Sequence, residues 1–378
     1  MKLLIGAALM VASAAASVQA QDIKIGGLLE TSGFIASLGG PGVEGATLAV
    51  DQINAAGGIN GRKVQFINVN SESDNTKTVS GAKRLIEQDK VAAIIGPMSS
   101  GSAFAVTDTV ERAKVPMIAN GATRGIVLPP EQKRFSFLAP LTDVVVQSVM
   151  LKDMQARGIK RIAMLNSDVA FGTAGRDSME KAVAAAGIAI VAKETFGNAD
   201  TDMTPQLTKI RATDAEATVL WATGAGLAIA TKNHRALGIK TPLYLAHSAN
   251  DFNYLRLAGD AANGILLPSS KIYVTASLSA ADPQKAVVER FVAEYEKKYG
   301  KPPATFAGNG YDAAMIIMQA IRKAGTDPEK VREAIETTRD YVGVTAVYTY
   351  GPADHFGAKA DSVVMLTVRD GKFALAGK

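Results

Sequence analysis

The sequence predicts an α/β fold built from two doubly wound parallel-sheet lobes. Three observations carry that expectation. Short apolar strand candidates alternate with amphipathic helix candidates, the same order returns after residue 160, and the last third of the chain is too short for a third copy. In the first copy, strands are expected at 23–29, 64–68, 91–95 and 116–119. Helices at 43–56, 76–88 and 102–112 lie between them, because their apolar residues recur at helical spacing and turn residues such as Gly57-Gly58 follow. The second copy reads strand 161–165, helix 175–186, strand 188–195, helix 203–212, strand 217–221, helix 227–237 and strand 242–246. Even the punctuation recurs, since Gly57-Gly58-Ile59 corresponds to Ala186-Gly187-Ile188 and Val115-Pro116 to Thr241-Pro242. From Ile265 onward, helices are expected at 283–299, 309–324 and 328–338, then strands at 362–368 and 373–375. These elements complete the two lobes, so the chain crosses between them more than once and the crossings form a hinge.

Composition narrows the function. The 378 residues contain no cysteine, which excludes zinc–thiolate sites, iron–sulfur clusters and disulfides. Residues 1–20 read as a secretory signal peptide, with Lys2 before an apolar stretch and cleavage expected after Val18-Gln19-Ala20. No cysteine follows that site, so no lipid anchor is expected, and the mature chain should be exported and soluble. Of the 41 basic and 36 acidic residues, only Lys2 falls in the leader, leaving 40 against 36, a net charge of +4. That balance is spread without runs, so no nucleic-acid partner is implied. Export also makes cytosolic cofactors such as NAD or ATP poor partners, and no cofactor is expected.

In open parallel sheets ligands sit beyond the carboxyl ends of the strands. Two such loops stand out: Gly96-Pro97-Met98-Ser99-Ser100-Gly101-Ser102, which opens a helix, and Asn120-Gly121-Ala122-Thr123. Helix N-termini present unpaired N–H groups and partial positive charge, so the two loops can converge on one carboxylate or phosphate, with Ser100 and Thr123 as the candidates. The plainer alternative is that these residues cap a helix and close a turn. Gly40-Pro41-Gly42-Val43-Glu44-Gly45 matches the dinucleotide glycine pattern, but lies about ten residues past the first strand and contains Pro41; it reads as a glycine-rich loop leading into the helix. No Gly-x-Ser-x-Gly elbow occurs, and His234, His247 and His355 are too far apart for a paired-histidine metal motif, so neither catalytic nor metal residues are assigned. His247 follows the strand 242–246 and Phe171 follows the strand 161–165, where it could cover a ligand; Trp221 reads as core.

The leader, the two lobes and these loops resemble the type I periplasmic binding proteins of branched-chain amino-acid ABC transporters. The most recognisable stretches are Asp51-Gln52-Ile53-Asn54-Ala55-Ala56-Gly57-Gly58-Ile59-Asn60-Gly61-Arg62, Ile94-Ile95-Gly96-Pro97, Val115-Pro116 and Tyr311-Asp312-Ala313-Ala314. The resemblance covers essentially the whole mature chain. It implies a three-strand hinge, expected near Pro140, Pro268 and Gly351, with lobe one at 21–140 plus 269–350 and lobe two at 141–268 plus 351–378. It implies a monomeric periplasmic receptor, not an enzyme, that closes on a small solute and docks to an inner-membrane permease driven by an ATPase; delivery to a membrane sensor is the alternative. It also implies that Ser100, Thr123 and the backbone of Gly121 hold the ligand's carboxylate and that Phe171 lies over the ligand.

The resemblance further implies an acidic partner for an amino acid's ammonium at the position occupied here by His247, and a second aromatic near Gly224, which leaves space instead. An imidazole facing an ammonium would leave it unpaired or repelled. A carboxylate without an amine suits the site better. With Leu38 and Met98 as apolar lining, an aromatic acid of the benzoate or phenylpropanoid kind is the leading expectation. Asp251 could restore the missing charge, which keeps a branched-chain or other aliphatic amino acid as the alternative.

Overall fold

The computed structural model describes residues 21–377; the expected leader, 1–20, lies outside the described residues. Strand β1 (Ile23–Gly27), helix α1 (Ala36–Ala55), β2 (Val64–Asn68), α2 (Asn75–Arg84), β3 (Ile94–Ile95), α3 (Ser100–Ala113), β4 (Met117–Ala119) and β5 (Ser136–Leu138) build the first lobe. Its five strands are all parallel, in the order β2-β1-β3-β4-β5. Successive residues of a strand point to opposite faces, and both faces are buried: Ile95, Ile118 and Phe137 join the core shared with α1, whereas Ile94, Met117 and Leu138 join the core under Val106 and Val110 of α3.

The second lobe repeats this plan. Helix α4 (Asp143–Ala156) leads into β6 (Arg161–Ser167), α5 (Ala170–Ala185), β7 (Ala189–Phe196), α6 (Thr204–Arg211), β8 (Ala217–Trp221), α7 (Ala225–Ala236), β9 (Leu243–Leu245), α8 (Phe252–Ala258) and β10 (Leu266–Ser269). The order β7-β6-β8-β9-β10 is the order of the first sheet over again. The chain continues through α9 (Lys285–Tyr299), α10 (Thr305–Ala324), α11 (Pro328–Glu336) and a small hairpin, β11 (Tyr341–Val342) with β12 (Val347–Tyr348). Finally β13 (Val364–Arg369) and β14 (Lys372–Leu375) extend the second sheet antiparallel beyond β10.

Several elements differ from expectation. Helix α1 starts at Ala36, not residue 43, so the glycines read as a loop lie inside it. The reason is close packing: a Cβ on Gly45 would stand 1.8 Å from the Ala307 carbonyl oxygen, and one on Gly310 2.1 Å from that of Gly42. Glycine is thus required where α1 and α10 meet backbone to backbone. Only Ile94 and Ile95 of the strand 91–95 pair, and α10 begins four residues earlier than Asn309. Strands β5 and β10 and helices α4 and α8 had no expectation.

The hinge also shifts. Pro268 pairs with Met365 inside the second sheet, so the second crossing lies beyond it. At Gly351 the chain has not yet left the first lobe, because the N–H of Leu138 in β5 donates to the His355 carbonyl at 3.0 Å. The third crossing therefore falls after His355. Tyr348 and Tyr350 donate to the carbonyls of Ala139 and Leu138, each at 2.7 Å, joining this segment to the first crossing. Buried Asp312 of α10 orders the hairpin by accepting from the N–H groups of Val344 and Thr345 at 2.7 and 2.8 Å.

Candidate functional site

Carboxyl ends of both sheets face one cavity of about 480 Å³. On the first lobe, Ser99 caps α3 by accepting from the Ser102 N–H, so Ser100 and Gly101 open the helix without intrahelical acceptors for their own N–H groups. This loop is held from behind by Glu30, fully buried, whose carboxylate accepts from the N–H groups of Met98 and Ser99 at 2.9 and 3.2 Å. Burial pushes the Glu30 carboxyl above its ordinary value. Thr123 donates to the Ser100 hydroxyl oxygen at 3.0 Å, joining the two loops singled out in the sequence.

Gly121 does something other than expected. Its N–H donates to the Pro97 carbonyl at 3.0 Å, as does that of Asn120 at 2.9 Å, so it is not free for a ligand. The missing side chain lets the loops approach: a Cβ there would lie 3.1 Å from Ser100 Cα.

On the second lobe an aromatic cluster forms the wall. Phe171, in the first turn of α5, stacks on Trp221 with centroids 5.6 Å apart, and His247 meets both rings edge-on at 5.5 and 6.0 Å. Trp221 can lie there because α5 carries Gly175, where a Cβ would stand 2.0 Å from the indole nitrogen. His247 is buried, neither ring nitrogen has a partner, and burial lowers its pKa to about 4. The ring is therefore neutral at pH 7.

Leu38, Met98, Ser100, Phe171 and His247 line the cavity; Thr123 stands behind Ser100. Gly224 and Asp251 lie instead where the lobes meet. Gly224, at φ +69°, precedes α7 with its Cα facing the Phe34 carbonyl of the first lobe. Asp251 caps α8 through the Asn253 N–H at 3.0 Å and lies beside Ser37 of α1, with its carboxyl pushed up by burial. Asp74, the acid on the cavity wall, is similarly engaged, accepting from the Lys77 N–H at 2.8 Å. No lysine or arginine lines the cavity among the described residues, and no cluster there could hold a metal ion.

The sequence reading passed over several wall residues. Both amide atoms of Asn120, the Thr223 hydroxyl and the side-chain oxygens of Asn250 and Asn309 are buried without partners. Asn120, Thr223 and Asn250 follow strand ends, where the rule that found Ser100 also points. Asn309 and Phe306 sit on α10, far away in sequence, and no local signal marks them.

Two lobes of one plan, facing each other across a cavity at their strand ends, define a hinged ligand-binding protein. The chain belongs to the periplasmic binding protein family, which it matches over residues 22–372. It is 25% identical over 356 residues to Leu/Ile/Val-binding protein homolog 7 of Brucella abortus, covering 92% of this chain and 88% of that one. It is 28% identical to homolog 8 of Brucella suis over 363 residues, covering 91% and 88%. Among solved structures it is similar to the branched-chain amino acid transporter substrate binding protein LivJ from Streptococcus pneumoniae, in complex with isoleucine (TM-score 0.81, 27% identity, 93% and 97% covered). An extracellular ligand-binding receptor from Rhodopseudomonas palustris HaA2 shares the fold (TM-score 0.87, 24% identity, 94% and 99% covered). The family is one of solute receptors, and no helix among the described residues is long and apolar enough to cross a membrane.

Proposed function

We propose that this protein is the periplasmic receptor of an ABC importer, exported through residues 1–20, and that it closes on a small aromatic monocarboxylate for delivery to an inner-membrane permease and its ATPase. The observation that carries the ligand class is the neutral, unpartnered imidazole of His247, in place of a carboxylate, on a cavity wall that also carries Leu38, Met98 and Phe171. An ammonium beside that ring would lose its water without gaining a neighbouring carboxylate, since burial alone, and no nearby charge, shifts the imidazole. The ligand's carboxylate sits at the start of α3, held by Ser100 with Thr123 behind it, and its ring lies among Leu38, Met98 and Phe171. A cavity of about 480 Å³ suits such a solute. Closure requires contacts on both lobes, since only differential affinity moves a hinge equilibrium.

The amino-acid reading has its own support. The Brucella relatives are named for leucine, isoleucine and valine, and the solved LivJ holds isoleucine. The unpartnered side-chain oxygens of Asn250 and Asn309 could accept from an ammonium. A thermal-shift screen of the refolded, ligand-stripped protein separates the two. Ligand at 100 times its dissociation constant adds about 2.7 kcal/mol. Stabilisation by benzoates or hydroxycinnamates is the expected result; stabilisation by leucine, isoleucine or valine alone would replace it with the amino-acid reading.

A further inference from the structure

We propose that the ligand carries a neutral hydroxyl at the end remote from its carboxylate, and that Thr223 and His247 together read this group. The proposal rests on the monocarboxylate reading above. Thr223 and His247 are each 6% exposed, both line the cavity, and neither the Thr223 hydroxyl nor either imidazole nitrogen has a partner. Buried polar groups rarely stay unpaired, because the desolvation they suffer is then uncompensated. Their position is not loose: edge contacts with Phe171 and Trp221 hold the imidazole ring, and Thr223 lies two residues beyond Trp221, the last residue of β8.

The chemistry of the two side chains selects the missing group. A threonine hydroxyl donates and accepts, and a neutral imidazole donates through one nitrogen and accepts through the other. A hydroxyl is the smallest substituent that both donates and accepts, so it can complete a bond to each. A second carboxylate can only accept, and would bring a charge to a wall without lysine or arginine. An ammonium can only donate, so it would leave the imidazole N–H and the threonine O–H without an acceptor. A hydrogen or methyl would leave three polar atoms unpaired. Sites built to bond a hydroxyl discriminate strongly against analogues lacking it for that reason.

Calorimetric titration of the refolded, ligand-stripped protein with cinnamate, 4-hydroxycinnamate, 4-carboxycinnamate and leucine tests the proposal. 4-Hydroxycinnamate should bind at least about tenfold more tightly than cinnamate, with 4-carboxycinnamate weaker than both. Thr223→Val, nearly the same shape, and His247→Phe should each cut that preference to below about threefold. Equal affinity for cinnamate and 4-hydroxycinnamate, or a preference retained in both variants with native melting profiles, would overturn it and leave the aromatic-acid reading standing. Binding of leucine with no response to any cinnamate would overturn that reading and this proposal together.

Discussion

The Thr123 hydroxyl donates to the oxygen of Ser100 at 3.0 Å, which leaves the Ser100 proton available to an acceptor in the cavity. Thr123 thereby orients Ser100 without standing on the cavity wall itself. Ser100→Ala and Thr123→Ala should each weaken carboxylate binding by about 1–3 kcal/mol. Because one residue works through the other, the double variant should cost about as much as Ser100→Ala alone. Isothermal titration calorimetry distinguishes this from independent action, for which the losses would add.

Affinity should be flat between about pH 5.5 and pH 8, because His247 stays neutral across that range. A step in affinity near pH 6.5 would mean that the ring charges in the cavity. Stability has a different dependence. With its folded-state pKa lowered to about 4, native His247 binds fewer protons than in the unfolded chain, so its contribution is present above about pH 6.5 and is lost as pH falls toward 4, up to roughly 3 kcal/mol. His247→Phe should flatten that part of the melting-temperature profile.

Asp312 works in the opposite direction. Burial raises its carboxyl to about 6, despite the N–H groups of Thr345 and Val344, so the native state binds the extra proton. Its contribution is complete below about pH 4 and declines as pH rises through 6, on the order of 3 kcal/mol in all. Relative to Asp312→Asn, the natural protein should lose melting temperature between those values. Parallel profiles for the two proteins would contradict the assignment.

Glycines of α1 divide sharply. Gly45→Ala places a methyl on the Ala307 carbonyl and should destabilise by about 3 kcal/mol or more, as should Gly310→Ala. Gly40 in the same helix meets nothing beyond its chain neighbours, but Pro41 follows and disfavours helical backbone in a preceding alanine, so Gly40→Ala should change stability by less than about 1 kcal/mol. Urea denaturation of the three variants checks the contrast; equal effects at Gly40 and Gly45 would mean that helix propensity, not packing, dominates.

The repeated strand order was legible because fully buried parallel strands must be apolar runs, and the loops after them were legible by position. Gly40 to Gly45 misled because glycine and proline mark a break locally, while the reason for Gly45, the backbone of α10, lies more than 250 residues away in sequence. Strand β5 has three residues and no alternation to detect. Ser100, Phe171 and His247 follow strand ends and line the cavity. Gly224 came from the resemblance and Asp251 as a substitute for its acidic residue, yet both stand at the seam between the lobes, since such a position specifies a neighbourhood and not which atoms face the cavity.

Tyr348 and Tyr350, which precede the third crossing, fasten the chain leading into it to the chain leading into the first, at the Ala139 and Leu138 carbonyls. Two covalent bridges between the lobes therefore start from one fixed base. A pair of bodies joined by independent tethers could shear, twist or drift apart; a pair bridged from one base retains chiefly rotation about one axis. Such gearing would make the closed outline the same whatever fills the interior, and the surface offered to a membrane partner would report occupancy without reporting the identity of the cargo.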